Sequence, residues 1–442
     1  MDWSKLPDLA AVTLLAIAFS AVARRSQASV STLWLTGWMM IAVHFAAFMF
    51  VPMPGRFGAF AGFLGVAALA WAGLLFMWAS VPYRRKRSSL WMLAALLGTN
   101  SLYIALILVD PTPFWALTLV AVLFGALPAG IALFFIRGDN HPLRWTLVAL
   151  YSALSVFLLA IQHRPENGLS LAINGVLFTV YFGCSVHFLY AYRQRTAGAF
   201  ITIAGFLGWA AVFAIAPCLG TFLPTLHFEN EVWNLPKYVV AVGMILLLLE
   251  EQIEHNKYLA LHDELTGLPN RRLFQDRLSS ALERARRTGS HTALLLVDLD
   301  HFKQVNDTLG HHVGDLLLKR VGRVFTDRVR RSDTVARTGG DEFSVILDDP
   351  ISRLDAERVG MSLIDMLNEP FEMGDQTLRI GASIGIALFP EDAADGEGLC
   401  IAADLRMYDF KHRSGHGSEL ARPPVSALPP LKEDETRSQQ AG

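Results

Sequence analysis

The chain has 442 residues, 52% of them hydrophobic and only 18% charged, so it is too apolar for an ordinary soluble protein. The formal net charge is −2, and no basic stripe interleaved with aromatic residues indicates a nucleic-acid partner. The three cysteines form no CxxC pair, so the sequence indicates neither a disulfide framework nor a zinc site.

Apolar runs fill residues 1–249, which we predict to be a membrane domain. One helical crossing needs roughly 20 mostly apolar residues, because about 30 Å must be covered at about 1.5 Å per residue. The start MDWSKLPDLA lacks the features of a signal peptide, so we expect it to be the outer end of a retained first span. We predict about nine transmembrane helices: Leu6–Ala23, Leu33–Val51, Gly58–Val81, Leu90–Val109, Phe114–Ile136, Trp145–Ile161, Leu171–Tyr192, Phe200–Leu223 and Leu235–Leu249.

Basic residues cluster in alternate loops, which predicts the orientation of the spans. The basic set is Arg24, Arg25, Arg84, Arg85, Lys86, Arg87, Arg137, Arg144, Arg193 and Arg195. The remaining loops hold only Lys5, Arg56, Arg164 and Lys237. With nine spans, the N-terminus lies outside a bacterial inner membrane and everything after Leu249 lies in the cytoplasm.

Four polar residues fall inside the predicted spans: His44, Asn100, Asn174 and His187. Polar groups within a membrane are costly unless they have partners, so each is a candidate functional position. Hydrogen bonds between helices are the simpler interpretation, and a haem or copper site built from His44 and His187 is the alternative. A transporter is disfavoured, because the spans contain few charges.

The junction, residues 250–262, contains no helix breaker, and Leu249, Ile253 and Ala260 lie near coiled-coil spacing. A plain connecting helix and a dimer-forming signalling helix both remain open.

The order of elements after residue 262 predicts an α+β domain, 263–417. Asn270 opens a helix through Thr288, and the apolar run Thr292–Asp300 predicts a strand buried on both faces. A polar loop over residues 301–315 leads into a helix that ends near Arg330. The later predicted elements are a hairpin turning at Gly339–Gly340, a helix Leu354–Leu367, a strand Leu378–Phe389, a helix Ala402–Lys411 and a disordered tail over 418–442.

Acidic residues lie at a strand end (Asp298) and at the hairpin tip (Asp341), which become neighbours if the two strands pair centrally. Two carboxylates about 5 Å apart repel by roughly 3 kcal/mol at an effective dielectric constant near 20. A divalent cation removes this repulsion, and oxygen ligands suit magnesium, which leaves positions for substrate phosphates. Gly339 and Gly340 would let a phosphate approach the backbone. On these residues alone, an ordinary solvated hairpin is the alternative.

Five segments of this half resemble one known family. DELTGLPNR, VDLDHFKQVNDTLGHHVGD, RRSDTVARTGGDEF, SIGIALFPED and ADLRMYDFK occur in the order and spacing of the GGDEF diguanylate cyclases, over roughly residues 261–417. The resemblance implies a palm-like nucleotidyl cyclase fold, with a central, mainly antiparallel sheet flanked by helices. It implies the condensation of two GTP into cyclic di-GMP with release of pyrophosphate, by a homodimer that holds one GTP on each subunit.

The resemblance also assigns residues to the metal and the reaction. It implies that magnesium, or manganese in its place, is bound by Asp298, Asp341 and the main-chain carbonyl of Leu299. Catalytic roles fall on Asp341, Glu342 and Lys303, with Asp341 at the position proposed to deprotonate the attacking 3′-hydroxyl.

Substrate binding by resemblance falls on Asn306, His311, Asp315, Gly339, Gly340 and Lys411. Asn306 and Asp315 suit the acceptor edge and the donors of guanine. The basic contact expected after Lys411 falls on either Arg413 or His416, because KHRSGHG shifts the family's glycine by one position.

Arg330 and Asp333 have the RxxD form of the family's inhibitory site for the product, cyclic di-GMP. An Arg–Asp pair that caps the turn is the alternative. For the whole domain, the alternative to an enzyme is an inactive receptor that binds GTP or cyclic di-GMP and signals by contact.

Overall fold

The computed structural model describes residues 1–24, 31–80, 88–108, 113–135, 141–162, 168–192, 196–222, 230–348, 351–373 and 376–413. The predicted disordered tail, Arg164 and most of the predicted basic loops lie outside these residues. The chain divides into two compact units, Met1–Glu254 and His255–Gly442.

Nine helices of the first unit's described residues are long and apolar enough to cross a membrane, and each coincides with a predicted span. They follow a short 3-10 turn, Trp3–Lys5. In chain order they are α1 (Leu6–Ala23), α2 (Ser31–Phe48), α3 (Arg56–Ala79), α4 (Ser88–Ile107), α5 (Phe114–Phe135), α6 (His141–Ile161), α7 (Gly168–Ala191), α8 (Ala197–Phe222) and α9 (Asn230–Leu261).

The polar residues within these helices only partly follow the expected pattern. His44 makes the predicted bond between helices, because its Nδ1–H donates to the Gly65 carbonyl oxygen of α3 at 2.8 Å. The prediction is wrong for the other three, because Asn100, Asn174 and His187 each bond a carbonyl four residues earlier in their own helix. His44 and His187 line separate cavities, and the described residues hold no group of three or more metal-binding side chains.

Lys237 was counted with the outer-loop charges although the predicted span Leu235–Leu249 contains it. The structure places it within α9, with only 3% of its surface exposed, so its grouping with the loop charges is wrong. Helix α9 continues without a break through residues 250–261, as expected for the junction.

The second unit is an α+β domain, as predicted. It contains α10 (Arg271–Thr288), β1 (Thr292–Leu299), α11 (Phe302–Leu309), α12 (His311–Arg328), β2 (Thr334–Arg337), β3 (Glu342–Leu347), α13 (Arg353–Asn368), β4 (Phe371–Met373), β5 (Gln376–Leu378), β6 (Ala382–Phe389) and α14 (Gly396–Arg413). The central sheet has the order β2-β3-β1-β6 with antiparallel neighbours, and β4 and β5 form a separate two-stranded ribbon.

The sheet has a hydrophobic core on each face, because the side chains of a strand alternate between faces. Phe343, Val345 and Leu347 of β3 share one core, as predicted, and Ile346 belongs to the other with α10 and α14. Asn270 caps α10, since its side chain accepts from the backbone nitrogens of Arg272 and Leu273.

Three predicted elements are wrong in their limits. The polar loop over residues 301–315 contains α11, because Phe302, Val305 and Leu309 give it one apolar face despite the polar residues between them. The strand predicted from Leu378 divides into β5 and β6. The last helix begins at Gly396 rather than at Ala402.

Candidate active site at the end of the central strand

The acidic residues at the end of β1 meet the tip of the β2–β3 hairpin. Strands β1 and β3 are the central pair of the sheet, and Asp298 lies directly opposite Glu342. The backbone nitrogen of Leu299 donates to the carbonyl oxygen of Asp341 at 3.3 Å. The predicted meeting of strand end and hairpin tip is therefore present in the backbone.

The ammonium of Lys411 lies among these acids. Its Nζ donates to Asp298 Oδ1 at 2.6 Å, and it interacts electrostatically with Asp300 and Asp341 as well. The hydrogen bond to Asp298 and these charges raise the pKa of Lys411. One cation on α14 thus pairs with the acid at the end of β1 and interacts electrostatically with two more acids, Asp300 and Asp341, so the site attracts positive charge.

Asp300 joins the end of β1 to β6. Its Oδ1 accepts from the Ser383 hydroxyl at 2.8 Å, and its backbone nitrogen donates to the Gly381 carbonyl at 2.9 Å. Burial raises the pKa of Asp300, and the neighbouring charge of Asp298 adds to this. Its second oxygen, Oδ2, is buried without a hydrogen-bond partner among the described residues. Asp300 therefore braces the loop and leaves one carboxylate oxygen available beside Asp298.

The hairpin glycines provide space rather than an unusual backbone conformation. Neither Gly339 nor Gly340 has a positive φ, so the turn is not one of the primed types expected for a two-glycine hairpin. A Cβ at Gly339 would lie 2.5 Å from Glu342 Oε2, whereas a Cβ at Gly340 would meet nothing within 4 Å. The backbone at Gly340 is thus open to a ligand.

Arg337 fixes the position of this turn. Its guanidinium donates to the Gly340 carbonyl through Nη2 at 2.7 Å and to Asp263 Oδ1 through Nη1 at 2.9 Å. Burial alone would raise the pKa of Asp263, but hydrogen bonds from Thr266 and Arg337 lower it. The turn that follows α9 is in this way tied to the glycine turn of the candidate site.

The predicted base-recognition residues lie on α11 and α12. Lys303 and Asn306 are on α11, and His311 and Asp315 are in the first turns of α12. A Cβ at Gly314 would overlap the side-chain oxygen of Asn306. The Asn306 side chain therefore lies against α12 at Gly314, the residue before Asp315, and it would have to move if this glycine carried a side chain.

Arg330 and Asp333 do not form a side-chain pair. Asp333 Oδ2 accepts from the backbone nitrogen of Arg330 at 2.8 Å, and Oδ1 accepts from the backbone nitrogen of Asp348 at 3.2 Å. The salt bridges of the described residues do not include the exposed Arg330 guanidinium. Asp333 caps the turn, while the side chain of Arg330 is left to other partners.

The predicted metal site, Asp298, Asp341 and the Leu299 carbonyl, offers few protein ligands. Where the structure describes the chain, no group of three or more His, Cys, Asp or Glu side chains could hold a metal ion. The predicted ligand set has only two carboxylates and one carbonyl, which matches magnesium's preference for few protein ligands plus substrate phosphates. The unpartnered Asp300 Oδ2 and the cation already placed against Asp298 agree with a site for positive charge.

Comparison with known families agrees with this arrangement. Residues 260–416 match the family model described as diguanylate cyclase, GGDEF domain. Residues 260–416 form a GGDEF domain.

Two curated relatives come from Pseudomonas aeruginosa. The bifunctional diguanylate cyclase/cyclic di-GMP phosphodiesterase MucR is 32% identical over 394 residues, which cover 81% of this chain and 54% of MucR. The diguanylate cyclase TpbB is 41% identical over 163 residues, 37% of this chain and 38% of TpbB. The chain thus spans about half or less of the length of these relatives.

A solved structure of TpbB that comprises only its GGDEF domain is 41% identical, with a TM-score of 0.35. The match covers 36% of this chain and 94% of that one.

Two residues of the GGDEF domain that position the site were missed by sequence reasoning. Arg337 lies inside a quoted motif, but a lone arginine before a turn gives no sign of its partner Asp263, 74 residues earlier. Gly314 was quoted within HHVGD, and its signal was a glycine inside a helical pattern, which usually has a packing reason. Of the two residues considered after Lys411, Arg413 ends α14 and His416 lies outside the described residues.

Proposed function

We propose that the protein is a membrane-bound diguanylate cyclase that condenses two GTP into cyclic di-GMP and two pyrophosphates. The convergence of Asp298, Asp300 and Asp341 on Lys411, beside the open backbone of Gly340, is the observation that supports this best. Within one site, the acids can bind a metal cation, the Lys411 ammonium can pair with phosphate, and the turn leaves room for a triphosphate.

Each half of the reaction transfers one nucleotidyl group. The 3′-oxygen of one GTP forms a bond to the α-phosphorus of the other, the bond to the bridging oxygen breaks, and pyrophosphate leaves as the hydroxyl proton is removed. Each chain carries a single set of these residues, so the two transfers need two facing domains. We therefore propose a homodimer that forms through the catalytic domain and through contacts of α9.

Asp298, Asp341 and the carbonyl of Leu299 would hold Mg²⁺ or Mn²⁺, which when bound neutralises phosphate charge and favours ionisation of the attacking hydroxyl. Lys303 and Lys411 place positive charge where it develops on the phosphate oxygens. Glu342 is exposed beside the turn, where it adds negative charge to the cation site.

Base recognition rests on the α11–α12 pair. An Asn amide and an Asp carboxylate offer the donor and acceptors that complement guanine, and the Asn306 side chain lies against Gly314, the residue before Asp315. His311, at the start of α12, would contact the ribose or the base from the exposed side.

The membrane unit is proposed to regulate the enzyme from the bacterial inner membrane, with the GGDEF domain in the cytoplasm. Helix α9 supports this, because it passes from the last apolar span to the turn at Asp263 without a break. Arg330 is proposed to bind cyclic di-GMP at an inhibitory site, since its guanidinium is exposed and outside the ion pairs described above.

The activity test uses purified chain in lipid nanodiscs with GTP and Mg²⁺, with cyclic di-GMP measured by chromatography. The unmodified protein should form product, and Asp341→Ala should lower the rate by about a thousandfold or more. Asp307→Ala removes an exposed acid of α11 and should leave the rate unchanged. GTP binding without product in the unmodified protein would instead favour the inactive receptor.

The inhibition test compares Arg330→Ala with Arg331→Ala, two neighbouring exposed arginines. Arg330→Ala should raise the final yield of cyclic di-GMP without a change in the initial rate, and Arg331→Ala should change neither. An unchanged yield for Arg330→Ala would remove the inhibitory site from the proposal.

A further inference from the structure

A cavity of about 270 Å³ lies in the first unit, near the N-terminal end of α9. Helices α2, α3, α7, α8 and α9 all contribute to its wall, and its aromatic lining includes Phe45, Phe48, Trp209, Phe213 and Trp233. A buried apolar cavity of roughly 150 Å³ already accepts a benzene ring. This cavity therefore has room for a ring and a polar substituent.

Lys237 brings one buried positive charge to the cavity wall. Its ammonium lies 3.8 Å from the centre of the Phe45 ring, and the side chain is almost fully covered by protein. No salt bridge among the described residues includes it. A buried charge of this kind is costly unless an anion or a set of hydrogen bonds compensates it.

Asp8 is the carboxylate that interacts electrostatically with Lys237, but it makes its hydrogen bonds to other residues. Its Oδ1 accepts from Asn234 Nδ2 at 2.7 Å and from the Tyr238 hydroxyl at 3.4 Å. Asp8 and Lys5 both interact electrostatically with Lys237. Among the described side chains, Lys5 and Lys237 outnumber Asp8 by one positive charge, which matches a monoanion better than a doubly charged phosphate.

The cavity wall is held firmly in place. A Cβ at Gly243 of α9 would lie 2.5 Å from the backbone nitrogen of Thr202, and one at Gly205 of α8 would lie 2.8 Å from that of Val240. The backbones of α8 and α9 therefore touch, as small residues allow in helix pairs of membranes. His44 is fixed by its bond to Gly65, and its ring packs 4.7 Å from that of Phe48.

We propose that this cavity binds a small organic carboxylate with an apolar body about the size of one ring. The carboxylate would pair with Lys237, and the body would lie among the aromatic side chains, as in other sites where an apolar pocket holds a few polar groups. Binding at this site does not depend on the cyclase activity proposed above.

The test uses the full-length chain in nanodiscs of zwitterionic lipid and follows the fluorine NMR line width of para-fluorobenzoate. Para-fluorobenzyl alcohol is the uncharged control probe of similar shape. Saturable broadening is expected for the acid, with an affinity about tenfold or more above that of the alcohol. Lys237→Met should weaken binding of the acid by about tenfold or more, and Lys257→Met, on the exposed part of the same helix, should not.

Equal affinities for the acid and the alcohol, or full retention of acid binding in Lys237→Met, would overturn the proposal. If Lys237→Met does not fold, as judged by size-exclusion chromatography, the comparison of acid and alcohol on the unmodified chain decides. The last measurement repeats the para-fluorobenzoate titration in nanodiscs that contain an anionic phospholipid. Loss of para-fluorobenzoate binding in those nanodiscs would assign the cavity to a lipid headgroup and overturn the carboxylate assignment.

Discussion

The two units of the chain use charged side chains in opposite ways. All eight salt bridges of the described residues lie in the second unit, where they connect strands, turns and helices around the sheet. In the described part of the first unit, polar side chains such as Thr13 and Thr99 mostly bond carbonyls of their own helices. A charged side chain is therefore usually explained by its ion pair in the second unit, whereas Lys237 of the first unit has no such pair among the described residues and lies at a cavity.

The two units also differ in what packs against their glycines, and this difference gives the first test. In the first unit, glycines bring helix backbones together, whereas Gly314 of the second unit brings Asn306 against α12. Gly314→Ala should raise the KM for GTP by about thirtyfold, because displacing Asn306 costs roughly 2 kcal/mol, and leave kcat less affected. Steady-state kinetics with His312→Ala as the exposed control measures this, and an unchanged KM would separate Asn306 from base recognition.

The acid sensitivity of the second unit gives the next test. Burial alone would raise the pKa of Asp392, but hydrogen bonds from Arg406, the Leu388 nitrogen and Arg353 lower it to about 2. Since the folded pKa is below the unfolded value of 3.8, this stabilisation is full above pH 4 and is lost as the pH falls toward 2. The loss should amount to about 2 kcal/mol.

Urea unfolding of a fragment that starts at Glu250 measures this loss, because the second unit has its own cores. Asp392→Asn should lower the stability at pH 7 and flatten its dependence between pH 4 and 2. Asp365→Asn, an exposed acid on α13 outside the salt bridges of the described residues, is the control. An unchanged slope in Asp392→Asn would show that other carboxylates set the acid sensitivity.

The smallest expected effect concerns the tie between the turn at Asp263 and the glycine turn. Asp263→Asn and Arg337→Met should each lower kcat several-fold, and the double variant should be no worse than Arg337→Met alone. A double-mutant cycle should give a coupling free energy of about 1 kcal/mol. Additive effects on kcat would mean that Arg337 acts on the Gly340 turn independently of Asp263.

The sequence predicted the second unit well because motifs carry its chemistry. The end of β1 and the hairpin tip were expected to meet, and the structure places Asp298 opposite Glu342, with the Leu299 nitrogen bonded to the Asp341 carbonyl. Helix α11 was not predicted, because its polar residues outnumber the three apolar side chains that form its apolar face. Arg337 was missed because pairing over long sequence distances leaves no local signal.

In the first unit, hydropathy predicted the helices but not their contacts. Apolar composition locates a span, yet it does not say which side of a helix faces protein. Lys237 was therefore counted as a loop charge, although it is among the most buried charged side chains of the described residues. The partners of Asn100 and Asn174 were wrong for a related reason, because carbonyls of the same helix compete with bonds between helices.

The most direct test of the account is a crystal structure of the fragment from Glu250 with Mg²⁺ and a non-hydrolysable GTP analogue. The account predicts a metal ion at about 2.1 Å from carboxylate oxygens of both Asp298 and Asp341, with the triphosphate against Gly340. Lys411 should then have moved from Asp298 toward the phosphates. A triphosphate held elsewhere, or a metal ion that contacts neither acid, would contradict the account.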